Sequence, residues 1–449
     1  MYARFGVCWP ESLVIFDHDK ALWILESEKV ASTSLDFTRK VILAGKEKEF
    51  YNLWKQGAST LKKVQKDIDQ IEISDISDQD LAEIFSKWSK AYLDFWAIGM
   101  TAELINYGLE YKIKSLLRPK FADERDFNEA FAILTTPTAL SFYKQEELDL
   151  MRIVLSDVGE RSLRLEGHRE KYYWIYNNYL EAKMLDIPHF AERIKGMKES
   201  DAEKFLAEFT GYEEKISAQK EQLYDSLQLE TGEIGIIDSL NNSMTFQDDR
   251  KKYNLIANQY LENFLIEIGR RHGIKVRDLK WLLPVEIEAM AKGKDLSKII
   301  EQRKNITTIN CDRAQLSIET GNQASKIQKL FDGAEFDRSA NLQGTVACTG
   351  KSRYFRGIAR IILSPKAGDK LKEGEILVTS MTTPDFVVLM NRAGAIITDF
   401  GGVTCHAAVV SREFGIPCIV GTENATKAIK DGDILELHNL RGTVKIIPV

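Results

Sequence analysis

Residues 401–417 read GGVTCHAAVVSREFGIP, and this stretch decides how the last part of the chain is expected to fold. The apolar segment just before it, residues 395–398, is typical of a strand. The residues after the double glycine predict a short helix, which Gly415 and Pro417 would end. His406 is therefore expected on a strand–turn–helix elbow, at the start of the helix.

That position suits an anion and a nucleophile. Gly401 and Gly402 allow another group to approach the backbone closely. The free N–H groups and the positive end of a helix dipole favour negative charge there. An imidazole can act as a nucleophile and form a covalent intermediate. His406 is thus a candidate carrier of a phosphoryl group, and the alternative is a histidine that only satisfies a helix cap.

The stretch resembles the phosphohistidine "mobile" domain of the phosphoenolpyruvate-utilising enzymes. That family includes phosphoenolpyruvate synthase, pyruvate phosphate dikinase, enzyme I of the sugar phosphotransferase system and rifampin phosphotransferase. The similarity covers about the last quarter of the chain and also takes in residues 374–378, 382–385, 421–426, 431–433 and 441–444. The resemblance implies a compact β/β/α swivelling domain that is phosphorylated on the histidine of a Thr-x-His element, here His406.

Five further residues are candidates for supporting the phosphate: Gly401, Gly402, Thr404, Arg412 and Thr383. Thr404 could cap the helix, contact the phosphate, or do both. Arg412 is either a phosphate contact or a solvated surface charge, and the sequence does not decide between them. Cys405 beside the histidine is interpreted as a packing residue, because the family often has a small Ser or Cys there.

Composition narrows the class of protein. The chain has 449 residues, of which 44% are hydrophobic and 29% charged, with a net charge of −6. These values are ordinary for a globular protein of two or three domains, and the mild acidity argues against nucleic-acid binding. The five cysteines are scattered without a C-x-x-C pair, which indicates reduced thiols in the cytosol. No apolar run approaches the length of a membrane span, and no metal-ligand pattern is recognised.

The predicted fold class is multidomain α + α/β. Residues 1–331 are expected to form a mostly helical domain, residues 332–339 a linker, and residues 340–449 the swivelling domain. All seven tryptophans precede residue 340, and glycine becomes more frequent after it. The polar linker segment shows no periodicity.

Within the helical region, a hairpin is predicted at its start, with strands at 12–16 and 21–25 and His18 in the turn. Ser77 is expected to cap an aromatic-rich helix, and a second long helix is predicted over residues 246–272. Both are interpreted as core elements.

A helix near residues 161–180 places Arg164, His168 and Tyr172 on one face, at i, i+4 and i+8. They are weak candidates for binding an acceptor. The alternative, which is favoured, is that His168 and Tyr172 pack inward while the basic residues face water.

Relatives that use ATP carry an ATP-grasp domain, and those that use phosphoenolpyruvate carry a TIM barrel. Neither is recognised here, and no Gly-rich loop of the P-loop kind is present. The chain is therefore expected to hold no cofactor itself, with Mg²⁺ and ATP, or phosphoenolpyruvate, bound at a partner site. A separate ATP-grasp type protein is the expected partner, a small molecule is a possible acceptor, and no nucleic acid or membrane partner is expected.

The leading hypothesis is a cytoplasmic phosphotransferase, one subunit of a split system like phosphoenolpyruvate synthase, in which His406 carries the phosphoryl group. The rival is a non-catalytic binding or regulatory protein that keeps the mobile-domain fold.

Overall fold

The computed structural model describes residues 2–18, 20–179, 181–312, 315–331, 341–350, 352–383 and 386–447. The described strands are β1 (Ser12–Asp17), β2 (Lys20–Leu25), β3 (Ile306–Asp312), β4 (Gln315–Thr320), β5 (Leu342–Gln343), β6 (Thr345–Cys348), β7 (Tyr354–Ile361), β8 (Ile376–Thr379), β9 (Ala395–Thr398), β10 (Cys418–Val420), β11 (Ile434–His438) and β12 (Thr443–Ile447).

The described α-helices are α1 (Tyr2–Phe5), α2 (Ser27–Phe37), α3 (Glu47–Ile68), α4 (Asp78–Gly99), α5 (Thr101–Leu117), α6 (Glu124–Leu134), α7 (Phe142–Val154), α8 (Arg161–Tyr172), α9 (Ile187–Ile194), α10 (Glu199–Phe209), α11 (Tyr212–Ser226), α12 (Thr231–His272), α13 (Val276–Leu279), α14 (Pro284–Ala291), α15 (Ser297–Arg303), α16 (Gly321–Lys329), α17 (Val387–Arg392), α18 (His406–Phe414) and α19 (Ala425–Ala428). A π-helical turn over Thr38–Ile42 follows α2.

The chain groups into two compact units. One unit comprises residues 1–108 and 256–334, and the other comprises residues 109–255 and 335–449. The segment predicted as the linker, residues 332–339, lies outside the described residues. The units differ from the predicted domains, because the helices between 109 and 255 group with the C-terminal sheet. The division of the chain into a helical domain and a separate swivelling domain stays a prediction.

The first unit combines helices with one antiparallel sheet of strand order β2-β1-β3-β4. The predicted N-terminal hairpin is confirmed, and His18 lies in its turn with a φ of 55°. The second hairpin, β3 and β4, is a strand pair that the sequence interpretation did not predict. Its strand β3 pairs with β1, which lies far earlier in the sequence, for example Ile15 opposite Thr308.

The observed helix bounds agree with the predicted ones in part. Ser77 caps α4, since its hydroxyl accepts a hydrogen bond from the Asp80 N–H at 3.1 Å. The predicted helix over 246–272 ends as expected but begins at Thr231, fifteen residues early. Its first part contains Gly232 and Gly235, which have low helix propensity, and buried packing of neighbouring apolar residues outweighs that cost. The helix predicted over 161–180 ends at Tyr172.

The second unit contains an eight-stranded mixed sheet of order β5-β12-β11-β7-β8-β9-β10-β6. Strands β7 to β10 run parallel in its centre, and the flanking strands pair antiparallel. Every residue of β8 and β9 is buried, as expected for central strands covered on both faces. Helices α17 and α18 pack on one face through Met390 and Ala408, and α19 packs on the other through Ala425. The strand expected over residues 395–398 is confirmed as β9, and the fold class is confirmed as well.

Candidate active site

His406 begins helix α18, as the sequence predicts. Strand β9 ends at Thr398, the double glycine follows, and Cys405 precedes the first helical residue. The helix ends at Phe414, where Gly415 adopts the left-handed conformation with a φ of 64°. The strand–turn–helix elbow is therefore confirmed, with the imidazole at the helix start.

The His406 side chain is buried and held on one side only. Its residue is 9% exposed, and its Nδ1 atom lies 2.8 Å from the Oγ1 atom of Thr382. Its Nε2 atom is buried and has no hydrogen-bond partner among the described residues. The ring of Tyr143 meets the imidazole edge to face, with 6.1 Å between ring centroids. One nitrogen is thus oriented by Thr382, and the other makes no hydrogen bond among the described residues.

Burial, together with the positive charge of Lys251, holds the pKa of His406 well below its usual value. The imidazole is therefore neutral at pH 7. A neutral imidazole that donates its Nδ1 proton to Thr382 keeps its lone pair on Nε2. In that tautomer Nε2 is the nucleophilic atom.

We call residues 401–405 the histidine loop. Gly401 has a φ of 115°, which a residue with a side chain rarely adopts. The Val403 N–H donates a hydrogen bond to the Glu110 carboxylate at 3.0 Å. A Cβ atom on Gly402 would lie 2.1 Å from the same carboxylate oxygen, so only glycine leaves room for it. An anion does sit against the backbone of this loop, and it is a carboxylate of the chain itself.

Glu110 is a residue that the sequence interpretation missed. It lies on α5, and its other oxygen accepts a hydrogen bond from the Lys114 ammonium at 2.8 Å. Lys114 also donates to the Thr345 hydroxyl at 3.2 Å. The Glu110 and Lys114 spacing of i, i+4 is visible in the sequence, but such pairs are usually solvated, so the spacing alone does not point to this site.

Thr404 and Cys405 are neighbours in the histidine loop, but only Cys405 is the N-cap residue of α18. Thr404 is buried, but Cys405 occupies the N-cap position of α18, so the interpretation of Thr404 as the N-cap is wrong. Cys405 packs against the core cluster between the sheet and α18, as predicted, and burial raises the pKa of its thiol to about 11. Phosphate contact by Gly401, Gly402 and Thr404 stays a prediction.

Arg412 is tied to backbone carbonyls. Its guanidinium donates to the carbonyl oxygens of Ala347 at 2.8 Å, Val403 at 2.7 Å and Thr135 at 3.3 Å. The interpretation of Arg412 as a solvated surface charge is therefore wrong, because these acceptors take up its donors. The remaining alternative, contact with a phosphate, stays a prediction.

Two carboxylates bind the start of α7, next to the tyrosine that covers His406. Glu413 accepts hydrogen bonds from the Ser141 N–H and hydroxyl, both at 3.0 Å, and Asp248 accepts one from the Phe142 N–H at 3.0 Å. Burial raises the pKa of both carboxyl groups to about 7. The positive end of a helix is thus occupied by groups that titrate near neutral pH.

Thr383, proposed as a phosphate contact, neighbours the residue that contacts the histidine. Its carbonyl accepts a hydrogen bond from the Phe386 N–H at 2.9 Å. The next two residues, Pro384 and Asp385, lie outside the described residues. The hydroxyl beside the imidazole belongs to Thr382, one position earlier in the same segment. Phosphate contact by Thr383 stays a prediction.

The weak acceptor-binding candidates do not converge on one site. Arg164 is exposed and pairs with Glu160 at 2.8 Å. His168 is buried, with its Nε2 atom 2.8 Å from the Glu146 carboxylate. The Tyr172 hydroxyl donates to Asp149 at 2.7 Å, and burial and this carboxylate raise the pKa of Tyr172. The arrangement is the one expected from inward packing, and acceptor binding by Arg164, His168 and Tyr172 stays a prediction.

Among the described residues there is neither a cluster that could hold a metal ion nor a helix that could cross a membrane. No three or more His, Cys, Asp or Glu side chains come together in the described ranges as a set that could hold a metal ion. None of the described helices combines the length and apolar character needed to cross a bilayer.

The segment that includes the histidine loop is similar to known proteins. Residues 371–442 match the family described as PEP-utilising enzyme, mobile domain. A probable phosphoenolpyruvate synthase of Archaeoglobus fulgidus is 39% identical over 178 residues, which are 40% of this chain and 20% of that protein. The phosphoenolpyruvate synthase of Pyrococcus furiosus is 40% identical over 182 residues, again 40% of this chain and 20% of that protein.

A probable phosphoenolpyruvate synthase of Methanothermobacter thermautotrophicus is 56% identical over 88 residues, 20% of this chain and 13% of that protein. The matched part thus spans about a fifth or less of these relatives. A solved structure of Enzyme I aligns with 68% of this chain and 79% of its own at 14% identity, but its TM-score of 0.18 is too low to support an argument. The resemblance seen in the sequence is confirmed: residues 371–442 match the mobile domain of PEP-utilising enzymes, and part of the chain is similar to phosphoenolpyruvate synthases.

Proposed function

We propose that the chain is a phosphotransfer protein in which His406 carries a phosphoryl group from a donor to an acceptor. The observation that carries this proposal is the neutral imidazole at the start of α18, with Nδ1 held by Thr382 and Nε2 unpaired, inside the segment that matches the mobile domain. A pre-oriented nucleophile is what such a transfer requires, since phosphoryl transfer depends mainly on positioning and electrostatics.

In the proposed first step, the Nε2 lone pair attacks the phosphorus atom of the donor. A P–N bond forms, the P–O bond to the donor breaks, and the donor leaves with that electron pair. In the second step an acceptor oxygen attacks phosphorus, the P–N bond breaks, and the imidazole is restored. The Thr382 hydroxyl keeps the Nδ1 proton in place during both steps.

The donor and acceptor sites are part of the proposal. We place the donor on a separate protein of ATP-grasp type, which would hold Mg²⁺ and ATP, with phosphoenolpyruvate as the alternative donor. The chain would then be one subunit of a split system similar to phosphoenolpyruvate synthase. Its helical part would bind a small-molecule acceptor or the partner. A cytoplasmic location accords with the five free cysteines, none of which is in a disulfide among the described residues.

Burial of Nε2 means that the described arrangement is a resting one. Tyr143 covers the imidazole, and Glu110 contacts the histidine loop, so a donor has no direct path to the nitrogen. The segment after residue 335 must separate from the helices of residues 109–255 before transfer. This separation is the swivelling movement proposed for the domain.

The same burial favours a second candidate function. A non-catalytic binding or regulatory protein could keep the fold with its histidine permanently covered. The two functions differ in one observable: only a carrier acquires acid-labile phosphate on His406 during turnover.

The decisive experiment incubates the protein with labelled ATP or labelled phosphoenolpyruvate and a candidate partner, and measures acid-labile label at neutral pH. Wild type and His18→Asn are expected to be labelled equally, since His18 lies in an exposed turn and Asn tolerates its positive φ. His406→Ala is expected to incorporate none. Undiminished label in His406→Ala would contradict the assignment, and absence of label in wild type with every donor would favour the non-catalytic function.

A further inference from the structure

The contact between Glu110 and the histidine loop is unusual in its chemistry. The carboxylate side chain is only 10% exposed, and one of its oxygens accepts the Val403 N–H. A buried carboxylate is costly unless it is paired, and here the pairing comes from Lys114 and from a backbone donor of the loop itself. Glu110 therefore depends on the loop being docked, and the docked loop depends on Glu110.

Gly402 makes the contact possible. The carboxylate approaches so closely that a Cβ atom at this position would overlap its Oε2 atom, at 2.1 Å. The obstacle is the end of a flexible side chain, and Gly402 is not among the residues with positive φ. A methyl group there would displace the Glu110 carboxylate without straining the loop backbone.

We propose that Glu110 is an autoinhibitory latch, in which its carboxylate, bound to Val403 N–H and seated on Gly402, holds the histidine loop in a docked state that keeps His406 covered. Release of the carboxylate lets the 335–449 segment separate from residues 109–255 and exposes Nε2. That the exposed Nε2 receives a phosphoryl group rests on the proposed function. The latch itself is a property of the folded chain and can be measured without any donor.

Diethyl pyrocarbonate measures how often the full chain exposes His406. The imidazole nitrogen attacks the reagent's carbonyl carbon, and the rest of the reagent leaves as carbon dioxide and ethanol. Mass spectrometry of the peptides gives the rate at each histidine. Exposed His18 serves as the reference for reagent activity, and buried His168 serves as the reference for an intact fold.

Glu110→Ala and Gly402→Ala are each expected to raise the rate at His406 about tenfold or more, since a hydrogen bond to a charged group stabilises the docked state by about that factor in the equilibrium. The double variant is expected to be no faster than the faster single variant, because both changes break the same contact. Glu129→Gln, which removes an exposed carboxylate from neighbouring α6, is expected to leave the rate unchanged within twofold.

Three results would overturn the latch. The first is an unchanged rate at His406 in both single variants. The second is a double variant whose effect is the product of the two single effects, because the residues would then act independently. The third is a rise that His168 shares, because Glu110 would then support the whole fold rather than the docked loop. Failure of partner-dependent labelling alone would remove the proposed function and leave the latch standing.

Discussion

At the scale of the residue, one hydroxyl decides which nitrogen of His406 is available. Thr382→Val keeps the side-chain shape but removes the hydroxyl beside Nδ1. We expect phosphorylation of His406 to fall about tenfold, because the imidazole loses the bond that orients it. Initial rates of labelling measure this, with phosphoramidate as a chemical donor if no partner is in hand. Thr382→Ser should restore the rate, and equal rates for the Val variant and wild type would contradict the role.

Lys251 sets part of the acid–base behaviour of the same imidazole. Its charge, with burial, lowers the pKa of His406, so Lys251→Met is expected to raise that pKa. The unfolded histidine keeps its ordinary value, so the protein loses stability as the pH falls below about 6.5, and the variant should lose less. NMR titration of the imidazole gives the pKa directly. Lys252→Met, a change at the next position on α12, is the control, and an equal shift in both variants would contradict the assignment.

The residue scale also shows what sequence can and cannot predict. His406, the glycines before it and the helix end at Gly415 follow from local chemistry and were predicted. Thr382 was inside a recognised segment but unassigned. Glu110 is about three hundred positions from the loop it contacts, and a single sequence carries no information on that approach. Contacts of this kind depend on how helices and sheet pack.

At the scale of the element, the start of α7 responds to pH through Asp248. The folded carboxyl has a pKa near 7, raised from about 4, so the folded protein holds this proton more tightly than the unfolded chain. Stability from this group is present below pH 4 and is lost as the pH rises to 7. Glu413 on α18 acts in the same direction, and His406 acts in the opposite direction below pH 6.5.

Asp248→Asn is therefore expected to stabilise the protein at pH 8, by up to about 4 kcal/mol, and to change little at pH 4. The amide oxygen can still accept the Phe142 N–H, so the helix start keeps its cap. Urea unfolding at the two pH values measures the difference. Asp249→Asn, at the neighbouring exposed position, is the control. A stabilisation that is the same at both pH values would show that ionisation of Asp248 is not the cause.

Elements with strong periodicity or strong caps were predictable, and the others were not. Strand β9 follows from the apolar run before the double glycine, and the start of α4 follows from Ser77. The early start of α12 was missed, because glycine and asparagine there weaken the local signal while buried Ile237 and Leu240 support the helix. Strand β3 contains Asn310, a residue type that is depleted in strands, and its partner β1 is far away in sequence, so the local signal for it is weak.

At the scale of the whole molecule, the tryptophan distribution gives a test of the predicted division of the chain. All seven tryptophans precede residue 340, so a cut within residues 332–339 would release a fragment of about 110 residues without tryptophan. We expect limited proteolysis to cut there first, because the segment is polar and without periodicity, and cleavage concentrates at segments of small and polar residues. Mass spectrometry identifies the fragment by His406 and by its lack of tryptophan fluorescence. Persistent cleavage elsewhere, with 332–339 intact, would contradict the linker.

The rate at which proteolysis releases this fragment also tests the latch. If the contacts between the C-terminal sheet and residues 109–255 are a resting state, Glu110→Ala should speed cleavage at the segment more than Glu129→Gln does. This expectation follows from one contact and needs no donor or partner.

The hydrogen bonds of Arg412 have a consequence for the rate at which a phosphoryl carrier of the proposed kind would repeat its cycle. Two of its acceptors, Ala347 and Val403, belong to the C-terminal segment, whereas Thr135 belongs to the helices of residues 109–255. The first two bonds keep the planar guanidinium aimed even when Thr135 is absent, so little rotational freedom is lost on return. The C-terminal segment would then dock again without a change in the orientation of the Arg412 side chain. The rate of a repeated cycle would be limited by separation of the C-terminal segment, and each return would restore the same docked position.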